Sequence, residues 1–162
     1  LGMARYNLGF ACEEQDNFNC AEKEYGKAIF LDEYPSADRA RSNLARLHLV
    51  RYKNYEYALN LIRPGLQQAR EINTKASLLK NLGWAYLLMG RYPEAEKLLL
   101  ESINLRQDLA ESHCLLGEVR QQMGDKEGAI ASFKKCLSLG NEEIIWANKA
   151  REYLALEVKK LD

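Results

Sequence analysis

The sequence predicts an all-α protein, an α-solenoid of about four helix-turn-helix repeats followed by a C-terminal capping helix. Ala, Leu, Glu, Lys and Arg dominate the chain, and no segment alternates apolar and polar residues as a strand would. Small and large residues also recur with a period of 34, which indicates repeated helical hairpins. The matching pairs are Gly83 and Gly117, Gly90 and Gly124, Ala95 and Ala129, and Leu99 and Phe133.

The repeat template extends over the whole chain. It fits the first half at Gly9 and Ala21 and, with slightly longer spacing, at Ala45 and Ala58. We expect one domain over residues 1–162, with repeats at 2–35, 38–75, 76–109 and 110–143 and a closing helix at 144–160. Because the chain starts with Leu, almost inside a helical pattern, we also expect it to be part of a longer protein.

A tight turn separates the two helices of each repeat. Gly90 and Gly124 can adopt the left-handed conformation that ends a helix, and Pro93 then falls in the first turn of the next helix. The second repeat has one extra residue before Ala58 and places Pro64 inside a helical pattern. Since Pro removes a helical hydrogen bond, we expect a local bend there.

The pattern of Leu-Gly, a later aromatic, Ala and a large residue resembles the tetratricopeptide-repeat family. The third repeat carries the whole pattern, as Leu82, Gly83, Tyr86, Ala95 and Leu99. The other repeats depart from it at the aromatic position, which holds Cys12, His48 and Arg120. The resemblance covers nearly the whole chain and implies the fold, but it implies almost nothing about chemistry.

The recurring small residue is expected to lie where the first helix of each hairpin crosses the second. A missing side chain lets the two helices approach closely, and the Leu beside it fills the core. The small residues are Gly9, Ala45, Gly83 and Gly117, and the alanines expected to face them are Ala21, Ala58, Ala95 and Ala129.

Three asparagines precede the small residue by two positions: Asn7, Asn43 and Asn81. They lie about 200° round the helix from the packing face. The resemblance implies that first helices line a concave groove, so these side chains would form a row that grips the main chain of an extended peptide. The alternative is that Asn is simply frequent at this position in the family and binds nothing here.

Side chains around the asparagines would give the groove its specificity. Phe10, Arg46 and Trp84 lie one turn after the asparagines, and Arg39 and Lys80 place positive charge at the centre of the groove. Aromatic residues and Arg are favoured at binding surfaces, and the charge predicts a ligand with an acidic centre. Trp84 is either an anchor for that ligand or a core residue covered by the next helix.

Other classes of function are not supported by the sequence. The net charge is zero, which argues against nucleic acid, and no apolar run is long enough to span a membrane. The four cysteines lack metal-binding spacing, so we expect them to be reduced and the protein to be cytoplasmic. His48 takes an aromatic packing position and should be buried and neutral, while His113 and Cys114 point apart on one helix. We therefore expect no enzyme, no metal and no cofactor.

The sequence thus predicts a protein–protein interaction scaffold that binds an extended peptide in its concave groove. One alternative is a structural array that associates with itself through the closing helix. There Ile144, Ala147, Ala150, Arg151 and Leu154 would face the fourth repeat, and Ile145, Trp146 or Tyr153 would be exposed. Another alternative is a regulatory arm of an enzyme that lies in flanking sequence. Glu24, on a second helix, is expected to lie outside the groove and to be a neutral control.

Overall fold

The computed structural model describes residues 1–140 and 145–159 and confirms the all-α class. Over these residues the chain forms nine α-helices and one π-helical turn, and none of them is in a strand. The α-helices are α1 Gly2–Glu14, α2 Phe18–Leu31, α3 Ser36–Leu47, α4 Tyr55–Gln68, α5 Ile72–Leu88, α6 Tyr92–Leu105, α7 Ala110–Met123, α8 Lys126–Leu139 and α9 Ile145–Lys159, and the π-helical turn is His48–Tyr52.

The helices fall into two compact units, unit 1 over Leu1–Asn81 and unit 2 over Leu82–Asp162. In unit 1, α1 packs on α2, α2 packs on α3, and α3 packs on α4. In unit 2, α6 packs on α7, α7 packs on α8, and α8 and α7 both contact α9. The first helices α3 and α7 are therefore each held by their own partner and by the second helix of the hairpin before them.

Helix ends follow the local sequence. Gly90 and Gly124 adopt φ angles of 73° and 81°, as predicted, and Gly124 ends α7. Pro93 lies in the first turn of α6, where its missing N–H costs no helical bond. The helices α2, α4 and α8 are capped by the residues directly before them, Asn17, Asn54 and Asp125. Each of these side chains accepts a hydrogen bond from a backbone N–H of the first turn.

The glycines of the repeat do lie at close helix crossings. A Cβ atom on Gly9 would sit 2.7 Å from the ring of Tyr25, and one on Gly117 would sit 2.6 Å from the ring of Phe133. The nearest atoms thus belong to Tyr25 and Phe133, the large residues four positions after Ala21 and Ala129, rather than to these alanines. The four alanines Ala21, Ala58, Ala95 and Ala129 are fully buried.

Leu8 differs from the expectation that the Leu beside each small residue fills the core. It is 45% exposed, whereas Leu44 and Leu116, at the same position of other repeats, are 2% and 3% exposed. Leu44 and Leu116 are buried because α2 packs against α3 and α6 packs against α7. No helix of the described chain packs against the corresponding face of α1, so Leu8 is exposed.

The repeats that lack the aromatic residue replace its packing by other interactions. Arg120 donates to Glu96 at 2.9 Å and to Ser132 at 3.1 Å, which ties α7 to both neighbouring helices. His48 is buried, and its ring centroid lies 4.2 Å from that of Tyr57. Burial lowers the pKa of His48 despite the carboxylate of Glu22 beside it, so the imidazole is neutral at pH 7, as predicted.

The extra residue of the second repeat is accommodated in the π-helical turn His48–Tyr52. A π-helical turn is wider than an α-helical one and takes up one inserted residue without ending the helix. Lys53 then adopts a left-handed φ of 51° and closes the segment. The irregularity of this repeat therefore lies before α4. The bend was expected at Pro64. This residue lies on the exposed side of α4, and the helix continues without interruption from Tyr55 to Gln68.

The closing helix presents most of the expected residues to the fourth repeat, with two differences. Ala147 and Ala150 are buried and Leu154 packs against the same core, as predicted, but Arg151 is exposed and Tyr153 packs against Phe133, with ring centroids 5.1 Å apart. The reason is that Trp146, Ala150 and Tyr153 follow a helical spacing of four and three residues and share one stripe. Ile144 and the side chain of Ile145 lie outside the described residues.

All four cysteines are paired, which corrects the expectation that they are reduced. Cys12 bonds Cys20 across the first hairpin, and Cys114 bonds Cys136 across α7 and α8. The Cα–Cα distances of 5.7 Å and 5.1 Å are those of ordinary disulfides. Spacing along the chain did not show these pairs, because each bond joins two helices that only the hairpin brings together.

We expect reduction to destabilise the protein. Each disulfide restricts the unfolded chain and contributes about 2–4 kcal/mol, so dithiothreitol should lower the urea midpoint clearly. Titration of the unfolded, unreduced protein should find no free thiol. The double variant Cys12→Ala/Cys20→Ala isolates the second bond, and in that variant reduction should have a smaller effect. Four titratable thiols in protein purified without reductant would contradict the pairing.

Candidate functional site

Unit 1 contains a polar pocket of about 300 Å³, hereafter the unit-1 pocket. Its walls come from α1, from α3 and from the beginning of α5, so three consecutive first helices contribute to it. Every lining side chain carries a polar group: Tyr6, Arg39, Ser42, Asn43, Glu71, Asn73, Thr74 and Ser77. Such a lining offers hydrogen-bond donors and acceptors to a polar ligand rather than an apolar cavity.

Arg39 and Glu71 supply the charged groups among these lining residues. Nε and Nη2 of Arg39 donate to the two carboxylate oxygens of Glu71 over 3.1–3.3 Å. Thr74 donates a further bond from Oγ1 to Glu71 at 3.3 Å. Nη1 of Arg39 has no acceptor among the described residues, and the side chain remains 42% exposed. The guanidinium thus keeps one unpaired donor nitrogen, Nη1, at the pocket wall.

Asn43 is held at the pocket by a buried hydrogen-bond chain. Its Nδ2 donates to the Tyr25 hydroxyl at 3.1 Å, and that hydroxyl donates to Glu13 at 2.8 Å. Burial raises the pKa of Tyr25, so its phenol stays protonated and can serve both neighbours. The amide oxygen of Asn43 forms no hydrogen bond within the described chain and is left to accept one from a ligand.

The three asparagines do not form a row of equivalent side chains. Asn7 is exposed, Asn43 is half-buried, and Asn81 is only 1% exposed. Nδ2 of Asn81 donates to the carbonyl oxygen of Ser42 at 2.9 Å. The small side chain of Ser42 lets this amide reach the α3 backbone, which directs Asn81 into the protein and away from any open face.

The remaining predicted residues of unit 1 are also distributed unevenly. Phe10 is exposed, whereas Lys80 is buried. Arg46 forms an ion pair with Glu13, the same carboxylate that accepts from Tyr25. The positive centre expected from the sequence is therefore partly neutralised by carboxylates of unit 1 itself.

Trp84 belongs to unit 2 and is packed rather than open. It is 9% exposed and meets Trp146 of α9 edge-on, with ring centroids 4.9 Å apart and an interplanar angle of 77°. Trp84 is therefore a core residue covered by another helix, as the second alternative stated above proposed. The helix that covers it is the closing helix, α9. One turn further along α9, Lys149 donates to Glu118 of α7 at 2.6 Å.

Glu71, Asn73 and Thr74 were missed by the sequence analysis. The third repeat was expected to begin at residue 76, but α5 already begins at Ile72, with Glu71 directly before it. A signal was available: in "EINTKAS" the polar residues Asn73, Thr74 and Ser77 have the spacing of one helical face.

Metal chemistry would require several ligating side chains close together. No cluster of three or more His, Cys, Asp or Glu able to hold a metal occurs in residues 1–140 and 145–159. His113 contacts the carbonyl oxygen of Gln107 at 3.0 Å, and the adjacent Cys114 is bonded to Cys136. None of the described helices has the length and apolar character needed to cross a membrane.

Comparisons with known proteins identify the repeat. Tetratricopeptide-repeat family models match residues 76–113 and 110–140. No curated protein sequence matches the chain. Among solved structures, the crystal structure of the MamA protein aligns with a TM-score of 0.66 at 20% identity, covering 99% of this chain and 86% of that one.

Two further structures share the fold. MamA 41-end from Desulfovibrio magneticus RS-1 aligns with a TM-score of 0.66 at 20% identity, over 86% of this chain and 75% of that one. A chain of the APC/C hetero-tetramer Cut9-Hcn1 aligns with a TM-score of 0.77 at 18% identity, over 94% of this chain and 30% of that one. Residues 76–140 therefore consist of tetratricopeptide repeats, and the described chain shares the helical fold of these solved repeat structures.

Proposed function

We propose that this protein is an interaction scaffold that binds an extended peptide segment of a partner protein at the unit-1 pocket. The observation that carries the proposal is the pocket itself, in which polar side chains from three first helices surround one cavity. An extended peptide presents unpaired N–H and C=O groups, and the pocket offers partners for both kinds.

Individual residues then have distinct roles. The Asn43 oxygen accepts a main-chain N–H of the peptide, and the exposed amide of Asn7 extends the same contact along α1. The guanidinium of Arg39 donates to a carboxylate of the peptide, which gives the ligand its acidic centre. Phe10 offers an exposed apolar side chain on the same helix as Asn7. Arg46, Lys80, Asn81 and Trp84 act by holding the surrounding structure, since they are ion-paired or buried.

The family supports association with proteins as the general role. One solved structure that shares the fold is, by its title, a hetero-tetramer of Cut9 and Hcn1. The proposal needs no catalytic group and no cofactor. The cytoplasmic location expected from the sequence rested on reduced cysteines, and the two disulfides remove that support, because such bonds persist in oxidising compartments.

Two other roles were open at the level of sequence. Self-association through Trp146 and Tyr153 is less well supported, since these side chains pack against Trp84 and Phe133. A regulatory arm of an enzyme would be compatible with the same pocket, and the full-length sequence distinguishes it from a free-standing scaffold.

The test uses Asn43→Ala. Peptides are selected from a phage-displayed random library with the wild-type protein, and their dissociation constants are measured by fluorescence anisotropy. Losing one hydrogen bond of about 0.5–1.5 kcal/mol should weaken binding by about two- to tenfold. Stability should change little, because the Tyr25 hydroxyl keeps its bond to Glu13. Unchanged affinity in the variant would remove Asn43 from the binding site.

The matched control is Asn60→Ala, which makes the same change at an exposed position of α4. Glu24→Ala, the control expected from the sequence, is unsuitable. Glu24 is buried and accepts from Lys27 at 2.6 Å and Arg5 at 2.9 Å, and these contacts lower its pKa. Removing this carboxylate would leave two cations without their partner and destabilise unit 1.

A further inference from the structure

The Arg39–Glu71 pair has the geometry in which Arg binds a carboxylate ligand. Two nitrogens of one guanidinium edge donate to both oxygens of one carboxylate. The pair lies on the wall of the unit-1 pocket, and its side chains are 42% and 30% exposed. Ion pairs with this exposure contribute little to stability, so a carboxylate from outside can compete for the same edge.

The position of Glu71 allows its side chain to leave without breaking a helix. It lies between the end of α4 at Gln68 and the start of α5 at Ile72. Its backbone carbonyl accepts from the N–H of Lys75 at 3.0 Å, a bond that does not depend on the side chain. Besides Arg39, the one side chain of the described residues that hydrogen-bonds to its carboxylate is Thr74, at 3.3 Å.

The Arg46–Glu13 pair of unit 1 is built differently from the Arg39–Glu71 pair. Glu13, the partner of Arg46, is only 10% exposed and also accepts the hydroxyl of Tyr25 at 2.8 Å. Tyr25 is fully buried and in turn holds Asn43. Displacing Glu13 would therefore break a buried chain of bonds, which costs more than displacing Glu71. Of Arg39 and Arg46, only Arg39 can therefore exchange its carboxylate easily.

We propose that Glu71 is an internal substitute for a ligand carboxylate, and that a partner peptide binds by exchanging its own Glu or Asp side chain for Glu71 on Arg39. This inference rests on the proposed function and specifies its partner as a segment with an acidic side chain. Ser42, Asn73 and Ser77 line the same pocket and hold the peptide around that residue. Until exchange occurs, Glu71 neutralises Arg39 and lowers affinity for acidic segments.

The experiment measures the effect of Glu71→Gln on two peptide probes. These are fluorescein-labelled degenerate nonapeptide pools, one with Glu fixed at the central position and one with Gln there. Glu71→Gln removes the carboxylate that competes with the peptide for Arg39, and this carboxylate binds with the free energy of an exposed ion pair. The variant should therefore bind the Glu pool about two- to fivefold more tightly. Binding of the Gln pool should stay unchanged. Arg39→Gln should abolish the preference for the Glu pool.

If Glu71 only stabilises the pocket, Glu71→Gln should instead weaken binding of both pools, because the substitution would loosen the pocket. The control is Glu56→Gln, the same change at an exposed position of α4, which should affect neither pool. If wild type binds the pools but Glu71→Gln does not favour the Glu pool, the exchange is wrong while the scaffold function stands. If neither pool binds any variant, both proposals fail. Urea denaturation of each variant checks that the fold is retained.

Discussion

Replacing Gly83 by Leu will destabilise unit 2 by about 3 kcal/mol or more. A Cβ atom at this position would lie 2.8 Å from Cγ of Leu99 and 3.3 Å from the backbone oxygen of Ala95. Leu99 is fully buried, so its side chain cannot move aside, and a backbone oxygen can move only with its helix. The rest of the leucine side chain would have to force α5 and α6 apart. The measurement is urea denaturation followed by far-ultraviolet circular dichroism.

Gly26→Ala is the matched control for this prediction. Gly26 lies inside α2, and a Cβ atom there would meet nothing within 4 Å. Since Gly costs about 0.5–1 kcal/mol relative to Ala in a helix, this substitution should stabilise the protein slightly. The free energy of unfolding should thus fall in Gly83→Leu and rise slightly in Gly26→Ala. A Gly83→Leu variant with a wild-type midpoint would show that Gly83 does not lie at the crossing.

Trp84→Ala has the second largest expected effect, and the effect is on stability. Truncating a buried Trp costs about 3–5 kcal/mol, because the removed surface is lost from the core and a cavity remains. Trp84 and Trp146 are the two tryptophans of the sequence and contact each other, so wild-type fluorescence reports on the junction of α5 and α9. In the variant, the emission of Trp146 should shift to longer wavelength as its ring becomes exposed.

Phe10→Ala serves as the control, because Phe10 is an exposed aromatic in unit 1 and its truncation should change stability by less than about 0.5 kcal/mol. Trp84 was also a candidate ligand anchor, and the two roles differ in what they predict. A variant that keeps the wild-type urea midpoint and loses peptide affinity would make Trp84 an anchor and would refute its assignment to the core.

The candidate site was predictable only in part. Arg39 and Asn43 were identified because both lie at fixed offsets from the small residue of the second repeat, and offsets on a helix define its faces. Asn81 has the same offset as Asn43 but is buried, because the contact between α3 and α5 decides its environment. Glu71 lies outside the helical pattern and became visible only when the structure placed it against Arg39.

Local features were determined by the sequence alone. The left-handed glycines at Gly90 and Gly124, the helix caps and the glycines at the crossings follow from the conformational range of each residue and from helical periodicity. The pairing of Cys114 with Cys136, the carboxylate partners of Arg46 and Arg120 and the cover over Trp84 were decided by tertiary structure. The physical reason is that these contacts join residues on different helices, and their distances depend on how the helices pack rather than on any spacing along the chain.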